Sequence, residues 1–366
     1  MNHEADERLA RLSLWKFVDQ AASHLFSGYF VLVMSTGIVS IAAHLLQIVP
    51  IAWVLFQINK LAYGILLFLT VVRAIRYFPR LIADLISHSR GPGLLTMIAG
   101  TCILGSQFVI INNDFAAGYF FWLFGIIFWC ILMYGFLTAI MIREGKPDLE
   151  AGLNGDWLIT VVATQSISLL GTLVAPSFQN GQVAVLFLTL FTYLLGCALY
   201  IIIISLIFYR LTFFALTPGE FTPSYWVNMG AVAITTLAGS LLILSAPQWS
   251  FLIEVLPFLK GFTLFFWVIG TWWIPLILIL EMWRHLFKRF PLRYHPRYWD
   301  IVFPLGMYTT STLELGKATG LPFLIPVAQY SVYFALLAWA GIFIGLIHRF
   351  FQSCRQRLNS RERQLD

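Results

Sequence analysis

Ten apolar stretches, each close to 20 residues long, dominate this chain and restrict what it can fold into. A helix needs roughly 20 apolar residues to cross the hydrocarbon layer of a bilayer. The stretches fall at 28–47, 52–72, 93–112, 119–142, 156–175, 183–209, 225–245, 258–283, 299–317 and 326–350. Helix breakers fill the gaps, among them Pro50, Asn112-Asn113-Asp114, Pro176, Pro247 and Gly320. Only 11% of residues are charged and mean hydropathy is +0.81. The expectation is an all-α membrane protein. One bundle of ten transmembrane helices takes residues 27–350, with a short segment, 1–26, before it and a basic tail, 351–366, after it. Residues 8–18 have the pattern of a short amphipathic helix lying on the membrane surface. No cleavable leader is expected, because the first long apolar run continues into a full span.

The placement of charge orients the bundle. Of the 23 Lys and Arg, 20 fall in the two tails and in alternate connections, leaving Lys60, Lys260 and Lys317 for the other side. The positive-inside rule then puts both termini in the cytoplasm of a cell-membrane protein. Termini on the same side require an even number of spans, in agreement with ten. These basic loops set topology and touch anionic lipid head groups. Nothing in the pattern calls for a nucleic acid.

Several functions lack their residues. A proton pump or metal transporter usually carries carboxylates or histidines at mid-bilayer. Here Asp156 and Asp300 only begin the fifth and ninth spans, and Glu314 lies near the far end of the ninth. The histidines sit in loops or at span ends without ligand spacing, so no metal is expected. There is no Walker sequence or dinucleotide glycine fingerprint, so no cofactor is expected either. An intramembrane enzyme would need a buried His, Asp or Cys constellation, and none is visible.

Odd and even spans differ. The odd ones hold 29 Ser, Thr and Gly in 100 residues, the even ones 16 in 123. Small and hydroxyl residues let helices approach closely or line a wet passage, whereas large apolar side chains suit a lipid-facing ring. The pattern implies five inner helices wrapped by five outer ones, built from helical hairpins. Composition leaves open whether the inner ring encloses a conduit or is simply packed. If it encloses one, Ser35, Thr36, Gly37, Thr101, Thr164, Thr235 and Thr309 are the candidate lining residues, being mid-span on odd helices.

The ninth span reads Trp299-Asp300-Ile301-Val302-Phe303-Pro304-Leu305-Gly306-Met307-Tyr308, then Thr309-Thr310-Ser311-Thr312. Proline inside a span frees a carbonyl and bends the helix. This segment resembles the ninth span of the tellurite-resistance/dicarboxylate transporter family. That family takes in yeast malate and sulfite permeases and the slow-type anion channels of plant guard cells. The first span agrees, since Phe30-Val31-Leu32-Val33-Met34-Ser35-Thr36-Gly37-Ile38 is similar to the family's opening motif. Trp157 and Pro223-Ser224-Tyr225-Trp226 also fit. Ser35 departs from the pattern, standing where many relatives have glycine.

The resemblance covers about residues 25–350. It implies ten helices with the odd ones around a pore, a homotrimer with one pore per subunit, and small anions as substrate, C4-dicarboxylates or inorganic ions. It also implies an aromatic plug on the ninth helix, which by motif position is Phe303, beside Pro304. Arg293 and Arg297 would then draw anions to the cytoplasmic mouth. A proton-coupled carrier or exporter is the alternative, and a non-transporting scaffold a more remote one.

Overall fold

The structure, a computed structural model, describes residues 15–16, 18–292 and 294–362, the last ten of these by backbone alone. Arg293, most of the 8–18 segment and the end of the tail lie outside the described residues. Each apolar stretch lies on a helix. In chain order these are α1 Val31–Leu45, α2 Val49–Arg76, α3 Thr96–Asn112, α4 Phe115–Ile142, α5 Ile159–Val174, α6 Gln182–Phe213, α7 Val227–Leu244, α8 Leu256–Met282, α9 Trp299–Thr319 and α10 Leu324–Glu362. Eight of them, counted with the short turns that lead into some, are long and apolar enough to cross a membrane. The two that fall short do so for different reasons. α1 is apolar but has only 15 residues. α9 has 21 residues but carries Asp300, Glu314 and Lys317. The chain is a multi-pass, all-α membrane protein.

The breakers act through backbone geometry. Asn113 takes a left-handed conformation (φ 54°) that ends α3, and the Asp114 carboxylate accepts from the Ala117 N–H to start α4. Gly320 (φ 74°) ends α9 in the same way. Such short turns force each odd helix to run back against the even one that follows. Some even helices extend past their apolar stretch. α2 continues through Arg73, which is buried because its guanidinium meets the Asp84 carboxylate at 2.6 Å.

Five hairpins result, α1–α2, α3–α4, α5–α6, α7–α8 and α9–α10. The odd helices touch one another in a closed cycle, α1 to α3 to α5 to α7 to α9 and back to α1. Burial follows. Spans Gly91–Asn112, Gly155–Ser177 and Pro223–Leu244 are 78%, 94% and 89% buried over their most apolar windows, whereas the even spans range from 11% to 44%. Each even helix presents Phe, Leu and Ile outward, joined by Trp53 on α2 and Trp272 on α8, as a lipid-facing ring requires.

Each even helix also leans on the odd helix of the next hairpin, and there an aromatic polar group makes a hydrogen bond. Tyr63 of α2 meets Thr101 of α3 at 3.1 Å. Trp129 of α4 donates to Thr164 of α5 at 2.9 Å. Tyr200 of α6 donates to the Asn228 carbonyl of α7 at 3.4 Å, the longest of the set. Trp267 of α8 donates to Thr312 of α9 at 2.9 Å. Trp339 of α10 donates to Thr36 of α1 at 3.0 Å, which closes the cycle. An indole N–H or phenol O–H in lipid must find an acceptor, so each hairpin is fastened to its successor.

The clip that joins the chain's two ends should therefore be energetically coupled. In a double-mutant cycle of Trp339→Phe and Thr36→Val, unfolding in detergent is expected to show a coupling near 0.6 kcal/mol, about the mean for buried hydrogen bonds between membrane helices. Additive single effects would show that the two residues only pack.

Candidate functional site

All five odd helices begin at the same end of the bundle, through tight turns. Gly91–Leu94 precedes α3, Gly155–Leu158 precedes α5, Pro223–Trp226 precedes α7 and Pro296–Tyr298 precedes α9. Gly155 allows two of these starts to touch. A Cβ there would collide with the Ser224 carbonyl. Converging helix N-termini bring several backbone dipoles to bear on one place, with the positive ends inward.

A small cavity lies at this convergence, with about 10 Å³ open to water centres, room for roughly one molecule. Ser27, Arg90, Thr96, Asp156, Arg297 and Asp300 are on its wall. Arg297 reaches across to Asp156 at 3.0 Å, and its guanidinium lies 5.7 Å from the centre of the Phe26 ring. Asp300 is 4% exposed. Among the described residues, no hydrogen bond or ion pair reaches the Asp300 carboxylate. In the loop before α9, the His295 Nδ1 accepts from the Arg297 N–H at 3.2 Å. Burial, and then Arg297 and Arg349, hold this imidazole below its usual range. It is therefore neutral near pH 7, as an acceptor must be.

A larger cavity of about 390 Å³ adjoins the first and shares Phe26, Ser27 and Arg90 with it. Arg73, Arg80 and Asp84 add three charged groups to its wall. Arg73 and Arg90 flank Asp84, at 2.6 and 3.2 Å. The Arg80 guanidinium donates to the Ser23 carbonyl at 3.2 Å. Three arginines against one aspartate make a basic vestibule that opens onto the mouth.

Phe303 lies on α9 three residues beyond Asp300, so the two share one helix face, about 4.5 Å apart along the axis. It is wholly buried. A Cβ added at Gly230 of α7 would lie 3.2 Å from the Phe303 ring and 2.9 Å from Cγ of Pro304, so Gly230 makes the seat for both. Pro304 has no N–H for the Asp300 carbonyl four residues earlier. The neighbouring Trp299 carbonyl takes the Ser35 hydroxyl of α1 at 2.9 Å. Ser35 thus ties α1 to the first turn of α9.

The other candidate lining residues are also engaged. Thr36, Thr101 and Thr164 take the aromatic clips described above. Thr309 meets Ser331 of α10 at 2.9 Å. Thr235 donates to the Ala231 carbonyl of its own helix at 2.7 Å. Gly37 lies where α1 meets α2 and α3, beside an Asn59–Gln107 hydrogen bond of 2.6 Å. The six hydroxyl residues and Phe303 are all 0% exposed, so no water-sized passage reaches them in this state. The sequence reading placed Arg297 at the mouth but missed Arg73, Arg80 and Arg90, which it counted only as topology charges. Their nearness to Asp84 in sequence, four to eleven residues, was the available signal.

Residues 24–347 match the SLAC1 family model, described as a voltage-dependent anion channel. The chain belongs to this family. Among its relatives, an uncharacterized transporter of Methanocaldococcus jannaschii is 25% identical over 89% of this chain and 94% of its own length. An uncharacterized membrane protein of Mycobacterium tuberculosis is 37% identical over 41% of this chain and 76% of its own. A sulfite efflux pump of Trichophyton rubrum is 24% identical over 97% of this chain and 96% of its own. The family is thus one of channels and transporters for anions, and its names describe no enzyme.

Gly230 offers a direct handle on the aromatic seat. Gly230→Ala should lower stability by about 1–3 kcal/mol, the usual cost of overpacking, read as a fall in the unfolding midpoint in detergent. Adding Phe303→Ala should recover part of that loss. An unchanged midpoint would show that ring and proline yield freely.

Proposed function

We propose that this chain passes small anions, C4-dicarboxylates or inorganic anions, along the axis of the odd-helix ring, with Phe303 as the gate. The observation that carries this reading is the position of Phe303, fully buried, one helical turn beyond the mouth cavity on the face that Asp300 presents to it. On this reading all ten helices span. α1 and α9 serve despite length or polarity because their neighbours cover them. Both termini, and the arginine vestibule, are cytoplasmic. Arg297, with Arg293 nearby in sequence, raises the anion concentration at the entrance. The backbones of Ser35, Thr36, Gly37, Thr101, Thr164, Thr235 and Thr309 form the wall of the path, while most of their hydroxyls hold the wall together from behind. Homotrimeric assembly, with one path in each subunit, is part of the same reading and rests on the family resemblance.

A phenyl ring in a narrow apolar neck blocks an anion by bulk and by excluding its water. Stripping a charge of its hydration costs many times thermal energy, so one ring suffices to hold the path shut. The sulfite efflux pump, matched over nearly all of both chains, supports a second reading, a carrier or exporter of an oxyanion, in which a proton accompanies the anion.

Phe303→Ala in proteoliposomes should raise anion flux by about tenfold or more, and Phe303→Leu by less. The unfolding free energy should fall by less than the roughly 3–5 kcal/mol that Phe→Ala costs in a closed core. A folded alanine variant with flux equal to the parent's would make Phe303 a packing residue. Unitary currents separate a channel from a carrier. For orientation, cysteines introduced at Asn113 and Gln179 should label from outside the cell and one at Arg293 from inside. The reverse pattern would invert the topology.

A further inference from the structure

Four charged side chains line the mouth, and one of them, Arg90, is turned to Asp84, which leaves Arg297, Asp156 and Asp300 as a trio that does not balance. Arg297 pairs with Asp156 at 3.0 Å, which leaves Asp300 buried in the same cavity with no hydrogen bond or ion pair of its own among the described residues. The other charged groups nearby are committed. Arg90 reaches Asp84. From the α7 side, Tyr225 accepts from Arg210 at 2.7 Å. His295 is a neutral acceptor for the Arg297 backbone. The segment before α1 contributes Phe26, Ser27 and Gly28, which carry no charge. With both carboxylates ionised the trio is net negative, on the entry face directly below Phe303. An anion would be repelled there. A buried carboxylate without a partner is also costly to keep charged.

We propose that Asp300 is a proton-binding selectivity residue for anion entry. A proton taken from water at the mouth neutralises the trio and turns an acceptor-only carboxylate into a hydroxyl donor. An anion entering the cavity then shares Arg297 with Asp156 and accepts from the Asp300 O–H. Loss of the proton to mouth water restores the repulsion and expels the anion. No covalent bond changes. The one usable site, with one guanidinium and one O–H, suits a small monoanion or one carboxylate end of a larger acid. This inference rests on the anion-passage reading and names the group that regulates it.

The test uses the purified full-length chain in proteoliposomes, with chloride as probe because its own charge does not change with pH. Parent flux at about pH 5.5 should exceed that at about pH 8 by roughly tenfold, the scale of removing one nearby charge. Asp300→Asn, neutral at any pH, should give high flux at both values. In parallel, infrared spectra of the parent should show a protonated-carboxyl band growing as pH falls, and the band should be missing from Asp300→Asn. Parent flux that does not respond to pH, a variant that keeps the parent's pH response, or a parent without that band would each overturn the proposal. If neither protein passes chloride, the anion-passage reading fails, and the infrared comparison still decides whether Asp300 takes up the proton.

Discussion

The rest of this fold depends on the requirement that a polar group in lipid be paired within the protein. Each outer helix carries an aromatic N–H or O–H that meets a hydrogen-bond partner on the inner helix of the next hairpin. A hairpin alone would satisfy its backbone but not its tryptophan or tyrosine. Five such bonds order the hairpins around a ring, and the Trp339–Thr36 bond joins the last to the first. Closure matters because there is no hydrophobic force between helices in lipid. Association must come from close packing and from bonds of this kind. The small residues of the inner helices supply the packing, and their threonines supply the acceptors.

Ring closure also creates the mouth. When five helices start at one end of a bundle, their N–H dipoles converge there, and side chains of the first turns are crowded into little space. Asp156 arrives on the turn leading into α5 and Asp300 on the first turn of α9, with Arg297 on the turn leading into α9. Gly155 makes the crowding possible, since the start of α7 lies against it. The vestibule outside is rich in arginine, so the field changes sign within a short distance, from attractive outside to repulsive at Asp300. On the proposed path, that reversal, present while Asp300 is ionised, would be a barrier for anions ahead of Phe303.

Much of this was legible in the sequence. Apolar length located every helix, and the turn residues Asn113 and Gly320 set the hairpins. The excess of Ser, Thr and Gly picked out the ring. It could not say which way each hydroxyl points. Ser35 and Thr36 are neighbours, yet successive residues turn about 100° around a helix, and one bonds to α9 while the other bonds to α10. A better signal was present in the even spans, where Trp129, Trp267 and Trp339 stand in aliphatic runs and each needs an acceptor. The mouth was less legible. Asp156 and Asp300 were visible at the starts of spans, but their meeting is a tertiary event between the turn before α5 and the first turn of α9. Arg90 and Arg73 read as loop charges because sequence does not show that the loop folds back under the ring.

α9 combines three features that are costly one at a time. Pro304 removes a backbone bond, Asp300 places a carboxylate at the start of a span, and Phe303 puts a large ring where small residues prevail. The neighbours absorb these costs in part. Ser35 donates to the Trp299 carbonyl next to the proline-weakened turn, and Gly230 clears the volume for ring and proline together. The Asp300 carboxylate has the start of the helix and the nearby Arg297 to favour its charge but no hydrogen bond or ion pair of its own among the described residues. A helix held by side chains on α1 and α7, and not by its own ladder at that turn, can bend there at little expense. Any group that changes the charge of Asp300 then acts one turn from the bend and on the face that Phe303 shares. The electrostatic state of the mouth and the position of the ring are for this reason properties of a single segment.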